Sequence, residues 1–157
     1  MSEPKIRQAS REDISQAAEL LVRMKRFNAE FDPLLNVAKD VVQQASRYIA
    51  DSVGAKSTLV LVATSGKRVV GVLRAELRER RFYDPSKEGH ITDLYILPEA
   101  RRKALGRQML EEAKKRLTAK GAKLMTAEFP AQNHFAMAFY HKNGFRALTN
   151  LYASEGQ

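Results

Sequence analysis

The order of apolar and polar positions divides the chain into helical and extended segments. Apolar residues recur every three or four positions from Ile14 to Val22 and again from Leu34 to Ile49, as on the buried side of a helix. Residues 59–63 instead form a continuous apolar run, which is typical of a strand covered on both faces. The pattern predicts strands at residues 5–9, 59–63, 68–77, 91–97, 122–129 and 145–153, and helices after residue 10, at 34–54, from residue 99 to about 120, and at 133–142.

Prolines, glycines and capping residues separate these elements. Ser10 with Asp13 resembles a capping box, and the pair Asp32-Pro33 interrupts the first helical pattern. Residues 65–67 form a tight turn between two strands, which predicts a hairpin. The order of elements predicts one α/β domain over residues 1–157, with a mixed central sheet, flanking helices and a strand-helix-strand crossover at residues 91–129.

Composition excludes several kinds of chemistry. The chain has 157 residues and no cysteine, so it has no disulfide, no thiolate metal site and no cysteine nucleophile. Its three histidines lack the spacing of a metal motif, and we expect no bound metal. The start of the sequence has no apolar signal core, and no apolar run is long enough to span a membrane. We therefore expect a cytoplasmic protein with no membrane contact.

The positive charge is concentrated in one part of the chain. The formal net charge is +9, and residues 99–123 hold nine Lys or Arg against three Glu. Such a field attracts a polyanion, either a phosphorylated cofactor or nucleic acid. A solubilising surface is the alternative interpretation.

A candidate anion site lies where the strand at residues 91–97 gives way to a helix. The strand stops at Pro98, and four cations lie within the next nine residues: Arg101, Arg102, Lys103 and Arg107. The first turn of a helix has unpaired N–H groups and the positive end of the helix dipole, both of which favour a phosphate. Ala104 and Gly106 keep side-chain bulk away from that turn. The alternative is a basic helix start that faces solvent.

This stretch resembles the first signature of the GCN5-related N-acetyltransferase (GNAT) family, in which a turn that opens a helix binds the pyrophosphate of acetyl-CoA. The matching residues are Arg101, Arg102, Lys103, Ala104, Leu105 and Gly106. Ala104 replaces the first glycine of the family pattern. Because alanine fits the first turn of a helix, we expect phosphate binding to survive unless the backbone there needs a positive φ.

A second stretch, from Asn133 to Phe145, is similar to the second signature of the family. Asn133 can cap the short helix and contact the pantetheine arm, and Ala136 leaves room for that arm. Tyr140 lies two turns further on, roughly on the same face. The resemblance implies that Tyr140 faces the sulfur of CoA and protonates the departing thiolate as general acid. The alternative is a core tyrosine on an apolar stripe.

The resemblance implies the GNAT fold and an N-acetyltransferase that uses acetyl-CoA. The acetyl group would pass to a primary amine, of a small molecule or of a protein, by direct attack in a ternary complex. The family binds the pantetheine amides with the backbone of the central strand, which corresponds to Leu94, Tyr95 and Ile96. Backbone donors there could also polarise the thioester carbonyl.

Three carboxylates are candidates for the general base. Glu128 comes first, because it stands five residues before Asn133, where some members of the family carry a glutamate. Asp93 lies on the central strand and Glu76 on its neighbour. Each of the three could equally be the partner in a structural ion pair.

The acceptor site, the partners and a second class of function remain open at this point. Phe27, Phe31 and Asp32 lie in the loop that overhangs the acceptor pocket in the family, and the alternative is that they pin this loop. The competing function is a non-catalytic module that binds acyl-CoA or nucleic acid through residues 99–123, although no aromatic platform for nucleic acid accompanies them. An open last strand makes a homodimer plausible.

Overall fold

A computed structural model describes residues 3–101 and 104–156 of the chain. Five strands form one sheet in the order of the sequence, β1 to β5. The strands are β1 Lys5–Gln8, β2 Thr58–Ser65, β3 Arg68–Glu79, β4 Lys87–Ile96 and β5 Leu124–Ala127. Four helices accompany them: α1 Ile14–Asn28, α2 Val41–Ser52, α3 Leu105–Ala119 and α4 His134–Lys142. The predicted mixed α/β domain with flanking helices is confirmed.

The neighbouring strands from β1 to β4 run antiparallel to one another. β5 runs parallel to β4. The hairpin of β2 and β3 is the predicted one. The crossover from β4 through α3 to β5 makes the only parallel pair among the described strands. Parallel neighbours need a crossover connection, and α3 supplies it.

Helices cover both faces of the sheet. The six central residues of β2 are all buried, although successive side chains point to opposite faces. On β3, Gly71 faces Met109 of α3, whereas Arg74 faces the ring of Tyr48 on α2. The helices α1 and α2 therefore cover one face and α3 the other, which explains the continuous apolar run of β2.

Two predicted boundaries are wrong. The second helix does not begin at residue 34, because Pro33–Leu35 form a 3-10 turn and α2 begins at Val41. The helix after Pro98 begins only at Leu105, after another 3-10 turn at Pro98–Ala100. Proline fits the first position of such short turns, and the chain then has to change direction before the longer helix.

The predicted strand at residues 145–153 does not form. The described chain after Gly144 contains neither helix nor strand, and residues 146–156 are exposed. A strand needs a neighbour that accepts and donates its backbone hydrogen bonds, and these residues have none within the described chain. The sheet therefore ends at β5 on this side.

Candidate active site

The central feature of the candidate site is a split between β4 and β5. The two strands pair from Glu88 with Leu124 to Ile91 with Ala127, and the last bond across them joins Glu128 N–H to the carbonyl of Ile91 at 3.2 Å. Beyond that point β4 continues to Ile96 and pairs only with β3. Alternate backbone groups of residues 92–96 therefore face a gap in the sheet instead of a neighbouring strand.

A β-bulge marks the start of the split. Arg74 pairs with Asp93 and Ala75 pairs with Ile91, so Thr92 is an extra residue on β4. A bulge bends its strand and changes which way its side chains point. Here Thr92 and Asp93 both reach the hydroxyl of Tyr48, at 3.2 and 2.9 Å.

The predicted pantetheine-binding residues Leu94, Tyr95 and Ile96 lie on this open edge. Arg101 fixes the end of the strand, because its Nε donates to the carbonyl of Ile96 at 2.7 Å. Its guanidinium also lies 5.4 Å from the centre of the Tyr95 ring. The edge is thus held in place from the turn that carries the first motif.

Ala104 adopts a backbone conformation that the sequence interpretation did not expect. It precedes α3 with φ 57° and ψ 34°, in the left-handed region. The expectation that Ala104 fits the first turn of the helix is therefore wrong. The backbone here does need a positive φ, which was the condition under which alanine would impair phosphate binding. The predicted phosphate ligands Arg102 and Lys103 lie outside the described residues.

The start of α3 is otherwise suited to an anion. The N–H of Gln108 makes the first helical bond, to the carbonyl of Ala104 at 3.0 Å, which leaves the preceding N–H groups of the turn without a helical partner. Leu105 is buried and anchors the turn. Arg107 is exposed and pairs with Glu111 at 3.0 Å, one turn further along α3.

Gly106 brings the two sequence motifs together. A Cβ at this position would lie 3.1 Å from Cε1 of Phe139 on α4, and 3.5 Å from Cδ1 of Ile96. The distance to Phe139 is tighter than ordinary van der Waals contact and the distance to Ile96 is ordinary, so the absence of a Cβ lets α3 approach α4 closely beside the end of β4. The structure thus brings both motifs to the split edge of the sheet.

Asn133 caps α4 as predicted. Its Oδ1 accepts a hydrogen bond from the N–H of Ala136 at 3.0 Å. The amide nitrogen of the same side chain is left to donate elsewhere. The predicted contacts of Asn133 and Ala136 with pantetheine stay predictions.

Tyr140 is buried in an aromatic cluster. Its ring stacks on Phe129 at 5.2 Å between centroids and meets Phe139 and Phe145 edge-on at 5.2 and 5.1 Å. Burial raises the pKa of Tyr140 above its ordinary value, and the negative charge of Asp93 raises it further. A tyrosine is protonated at neutral pH even without this shift, and the raised pKa makes Tyr140 a weaker proton donor than an exposed tyrosine.

Glu128 lies just beyond β5 and is oriented by a histidine. Its Oε1 lies 2.6 Å from Nε2 of His90, while 59% of its own side chain is exposed. The other ring nitrogen of His90 lies 2.7 Å from the hydroxyl of Thr126, which in turn donates to Glu88. His90 itself is buried.

His90 is a site residue that the sequence interpretation missed. The signal that could have found it is the parallel pairing of β4 and β5, which sets His90 opposite Thr126. Alternation then brings Glu128 to the same face as Thr126. This register cannot be read from either strand alone.

The other two candidate bases are held more firmly. Asp93 is buried, accepts from Tyr48 and Thr92, and lies 3.1 Å from Nζ of Lys25. Burial raises the pKa of Glu76, but the hydrogen bond and charge of Arg78, together with the charge of Arg74, lower it overall. Glu76 therefore holds its negative charge in a double ion pair.

The predicted acceptor residues lie in the last turn of α1 and in the loop that follows it. Phe27 and Phe31 pack edge-on at 5.1 Å, and Phe27 remains partly exposed. Oδ1 of Asp32 accepts from the N–H of Leu34 at 2.8 Å and so caps the 3-10 turn. These contacts pin the loop, which was the alternative interpretation, and leave the acceptor contact a prediction.

Among the described residues, no group of three or more His, Cys, Asp or Glu side chains could hold a metal ion. No described helix is both long and apolar enough to cross a membrane.

The split sheet, the helix start beside it and the buried tyrosine define the class of acyl-CoA-dependent acyltransferase folds. The sequence matches the model of the Acetyltransferase (GNAT) family over residues 23–145. The chain therefore belongs to this family and is an acetyl-CoA-dependent acetyltransferase.

The chain is also similar to individual proteins. It is 24% identical over 151 residues to the uncharacterized N-acetyltransferase YhfO of Bacillus subtilis (strain 168), covering 93% of this chain and 92% of that protein. A structure of the aminoglycoside N-acetyltransferase AAC(6')-Iy with CoA matches with TM-score 0.79 and 15% identity, over 100% of this chain and 97% of that one. A predicted acetyltransferase from Clostridium acetobutylicum, solved with acetyl-CoA, matches with TM-score 0.80 and 14% identity. The match covers 98% of this chain and 96% of that one. At these identities the two structures show the shared fold.

Proposed function

We propose that the protein transfers the acetyl group of acetyl-CoA to a primary amine by direct attack within a ternary complex. The observation that carries this proposal is the split of β4 from β5 after Ile91, with Glu128 at its start and Tyr140 in the cluster beside it. Phe129 follows Glu128 in the chain and stacks on Tyr140, which links the two groups. Acetyl-CoA supplies the thioester when it is bound.

In this proposal the backbone of β4 and the turn before α3 bind the cofactor. The open edge at Leu94, Tyr95 and Ile96 hydrogen-bonds the pantetheine amides, as a neighbouring strand would. The N–H groups at the start of α3, from Leu105 to Arg107, bind the pyrophosphate, with Arg101, Arg102 and Lys103 adding charge. The amide of Asn133 donates to the arm, and Ala136 leaves space beside it.

Glu128 is the general base in this proposal. The acceptor amine must lose a proton as its nitrogen bonds to the carbonyl carbon, and Glu128 takes that proton directly or through one water. Its exposure supports access to the acceptor, and its contact with His90 supports a fixed orientation. Glu76 and Asp93 fit less well, because each is already engaged by cations.

Tyr140 is the general acid. As the carbon–sulfur bond breaks, the hydroxyl gives its proton to the thiolate, and CoA leaves as the thiol. The raised pKa of Tyr140 makes the phenol a weaker acid, so its proton moves only as full negative charge develops on the sulfur. No covalent intermediate with the protein is needed, and the sequence offers no cysteine for one.

The acceptor is a small amine or an amino group of a protein. Asp32 and Glu128 give the acceptor side negative charge that no described Lys or Arg pairs with, which favours a cation, whereas the charges of Glu76 and Asp93 are neutralised by their ion pairs. Exposed apolar side chains of the α1–α2 region, Phe27, Leu34 and Leu35, favour an acceptor with an apolar part. Aminoglycosides belong in a test panel because a structural relative is named for them.

The first experiment combines calorimetric titration with acetyl-CoA and thiol release over a panel of polyamines, aminoglycosides and peptides. We expect Tyr140→Phe and Glu128→Gln to bind acetyl-CoA like the wild type but to lower kcat, each by about 10²–10⁴-fold. Matched controls are Tyr83→Phe, an exposed tyrosine on the β3–β4 loop, and Glu19→Gln on the exposed side of α1.

The outcomes separate the parts of the proposal. An absence of acetyl-CoA binding would reject the transferase and favour a nucleic-acid module at residues 99–123. Full kcat in Glu128→Gln would move the base to Asp93 or Glu76. Full kcat in Tyr140→Phe would reduce that residue to a core tyrosine.

A further inference from the structure

A row of hydrogen-bonded polar side chains crosses β4 and β5 on one face of the sheet. Thr126 on β5 lies opposite His90 on β4, and alternation brings Glu88 and Glu128 to the same face. The hydroxyl of Thr126 donates to Glu88 and lies 2.7 Å from Nδ1 of His90. On the other side of the ring, Nε2 lies 2.6 Å from Oε1 of Glu128. We call these four residues the His90 network.

The direction of these hydrogen bonds fixes the form of the histidine. Glu88, as a carboxylate, can only accept, so it takes the single hydrogen of the Thr126 hydroxyl. Towards His90 the hydroxyl oxygen can then only accept, and Nδ1 must carry a proton. In the neutral ring the other nitrogen has none. Nε2 is therefore the atom of His90 that can receive a proton.

The contact between Nε2 and Glu128 contains one further proton. A bare ring nitrogen and a carboxylate oxygen are both acceptors, and two acceptors 2.6 Å apart repel each other unless a proton lies between them. The pair is an imidazolium with a carboxylate when that proton is on Nε2. It is a neutral ring with a carboxylic acid when the proton is on Oε1. The observed geometry is thus that of the pair with a proton bound.

The two members of this pair differ in their access to solvent. His90 is 8% exposed, whereas 59% of the Glu128 side chain is exposed. Glu128 can therefore meet an acceptor or water, and His90 reaches either of them only through Glu128. His134 and His141, the other two histidines of the chain, lie exposed on α4.

The surroundings of the ring can balance a positive charge on it. A buried cation is costly unless negative charge lies beside it, and the His90 network has a carboxylate at each end. Glu76 is the strand partner of His90 on β3, and its charge is held by Arg74 and Arg78. A proton can thus pass to the ring without leaving an unpaired charge in the protein.

We infer that His90 receives, through Glu128, the proton that the acceptor amine loses. The inference rests on the proposed function, in which Glu128 is the general base, and it adds a second residue behind that base. As the amine nitrogen bonds to the carbonyl carbon, its proton passes to Glu128 and from Oε1 to Nε2 of His90. Glu128 returns to a carboxylate and the ring becomes an imidazolium. Once the products have left, the proton returns through Glu128 to water.

Thr126 and Glu88 are positioning residues in this scheme. They keep the proton of the neutral ring on Nδ1 and so keep Nε2 able to accept. In the other tautomer Nε2 would donate to Glu128. Such a ring would orient the base but could take no proton from it.

The first test reads the tautomer in the free protein by ¹⁵N NMR with labelled histidine. The chain has three histidines, and the signals of His90 are those that disappear in His90→Gln. As the pH is raised, we expect the last proton on this ring to be on Nδ1. In Thr126→Val, which keeps the shape of the side chain and removes its oxygen, that proton should move to Nε2. A wild-type ring with its single proton on Nε2 overturns the inference.

The second test compares kcat and KM of His90→Gln with those of the wild type. Glutamine still offers an N–H to Glu128, so the base stays oriented, but the amide takes up no proton. We expect kcat to fall by about 10²-fold, the lower end of the effect of proton transfer by a side chain, with unchanged KM for both substrates. His141→Gln on α4 is the matched control and should keep full kcat.

The outcomes separate this inference from the proposed function. Full kcat in His90→Gln together with a loss in Glu128→Gln would keep the base and overturn the inference. Full kcat in both variants would reject the base and the inference with it. Thermal unfolding checks that each variant is folded. The NMR measurement on the wild type needs neither a folded variant nor turnover, so it decides the tautomer in every case.

Discussion

At the scale of single residues, Ala104 shows how a small departure from a motif changes the physics of a site. It holds φ 57°, and a residue with a Cβ loses roughly 1–2 kcal/mol in the left-handed region. The turn that it opens carries the proposed pyrophosphate contacts. A strained residue at a ligand turn persists only where the surrounding structure determines the conformation.

We predict that Ala104→Gly stabilises the protein by about 1 kcal/mol, because relief of strain exceeds the extra chain entropy of glycine. Thermal unfolding should then shift upward by about 2–4 °C for a chain of this size. Affinity for acetyl-CoA, followed by calorimetry, should stay equal or become tighter.

The matched control for this prediction is Ala119→Gly at the end of α3. Its backbone is helical, so glycine should cost about 0.5–1 kcal/mol there. If Ala104→Gly lowers stability in the same way as the control, the left-handed conformation of Ala104 is wrong.

Local patterns predicted some site residues and missed others for a physical reason. Asn133 and Tyr140 lie on one short helix, and helical spacing is enough to relate them. The contact between His90 and Glu128 depends on how two strands align, 38 residues apart in the chain. Sequence patterns carry little information about that register, because many alignments bury the same apolar residues.

At the scale of elements, the joint between β1 and α1 is built on one ion pair. Arg7 of β1 donates to Asp13 at 2.6 and 2.9 Å, and Asp13 also accepts from the N–H of Ser10 at 2.8 Å. The hydrogen bond from Arg7 is the main cause that lowers the pKa of Asp13, while burial opposes it. An edge strand is thereby tied to the start of the first helix.

We predict that Asp13→Asn lowers the free energy of unfolding at pH 7 by about 1 kcal/mol, a value reduced because Arg7 is half exposed. The folded pKa of Asp13 is lower than the unfolded value, so its contribution is complete above about pH 4. It is lost as the pH falls through the lowered folded pKa.

Thermal unfolding of wild type and variant between neutral and acidic pH checks this prediction. The difference between the two proteins should be constant above about pH 5 and should shrink below about pH 4. Asp51→Asn on α2 is the control, because it removes the same charge from an exposed position. A difference that stays constant at acidic pH would assign the effect of Asp13 to packing instead of charge.

The elements also show where sequence patterns stop being informative. The hairpin of β2 and β3 and the strand before Pro98 were predictable, since turn residues and apolar runs lie next to each other in the chain. Residues 145–153 have a strand pattern but no strand in the single chain. A pattern indicates a preference, and only a paired neighbour turns that preference into structure.

At the scale of the whole molecule, the net charge of +9 produces a field centred on α3. Part of the charge is neutralised locally, because Arg107 pairs with Glu111 and Arg116 pairs with Glu112. Lys115 and Lys120 are exposed and have no ion pair among the described residues. They lie outside the proposed contacts with the cofactor, so their influence acts through the field.

We predict that added salt lowers kcat/KM for acetyl-CoA while kcat changes little, because the Debye length falls from about 10 Å at 0.1 M to about 3 Å at 1 M. Lys115→Gln with Lys120→Gln should lower kcat/KM at low salt, and its difference from the wild type should vanish at high salt. Lys56→Gln with Lys67→Gln removes the same charge away from α3 and should have a smaller effect.

Equal effects of the two double variants would mean that only total charge matters. If salt leaves kcat/KM unchanged yet weakens binding to nucleic acid, the basic helix serves a polyanion other than the cofactor.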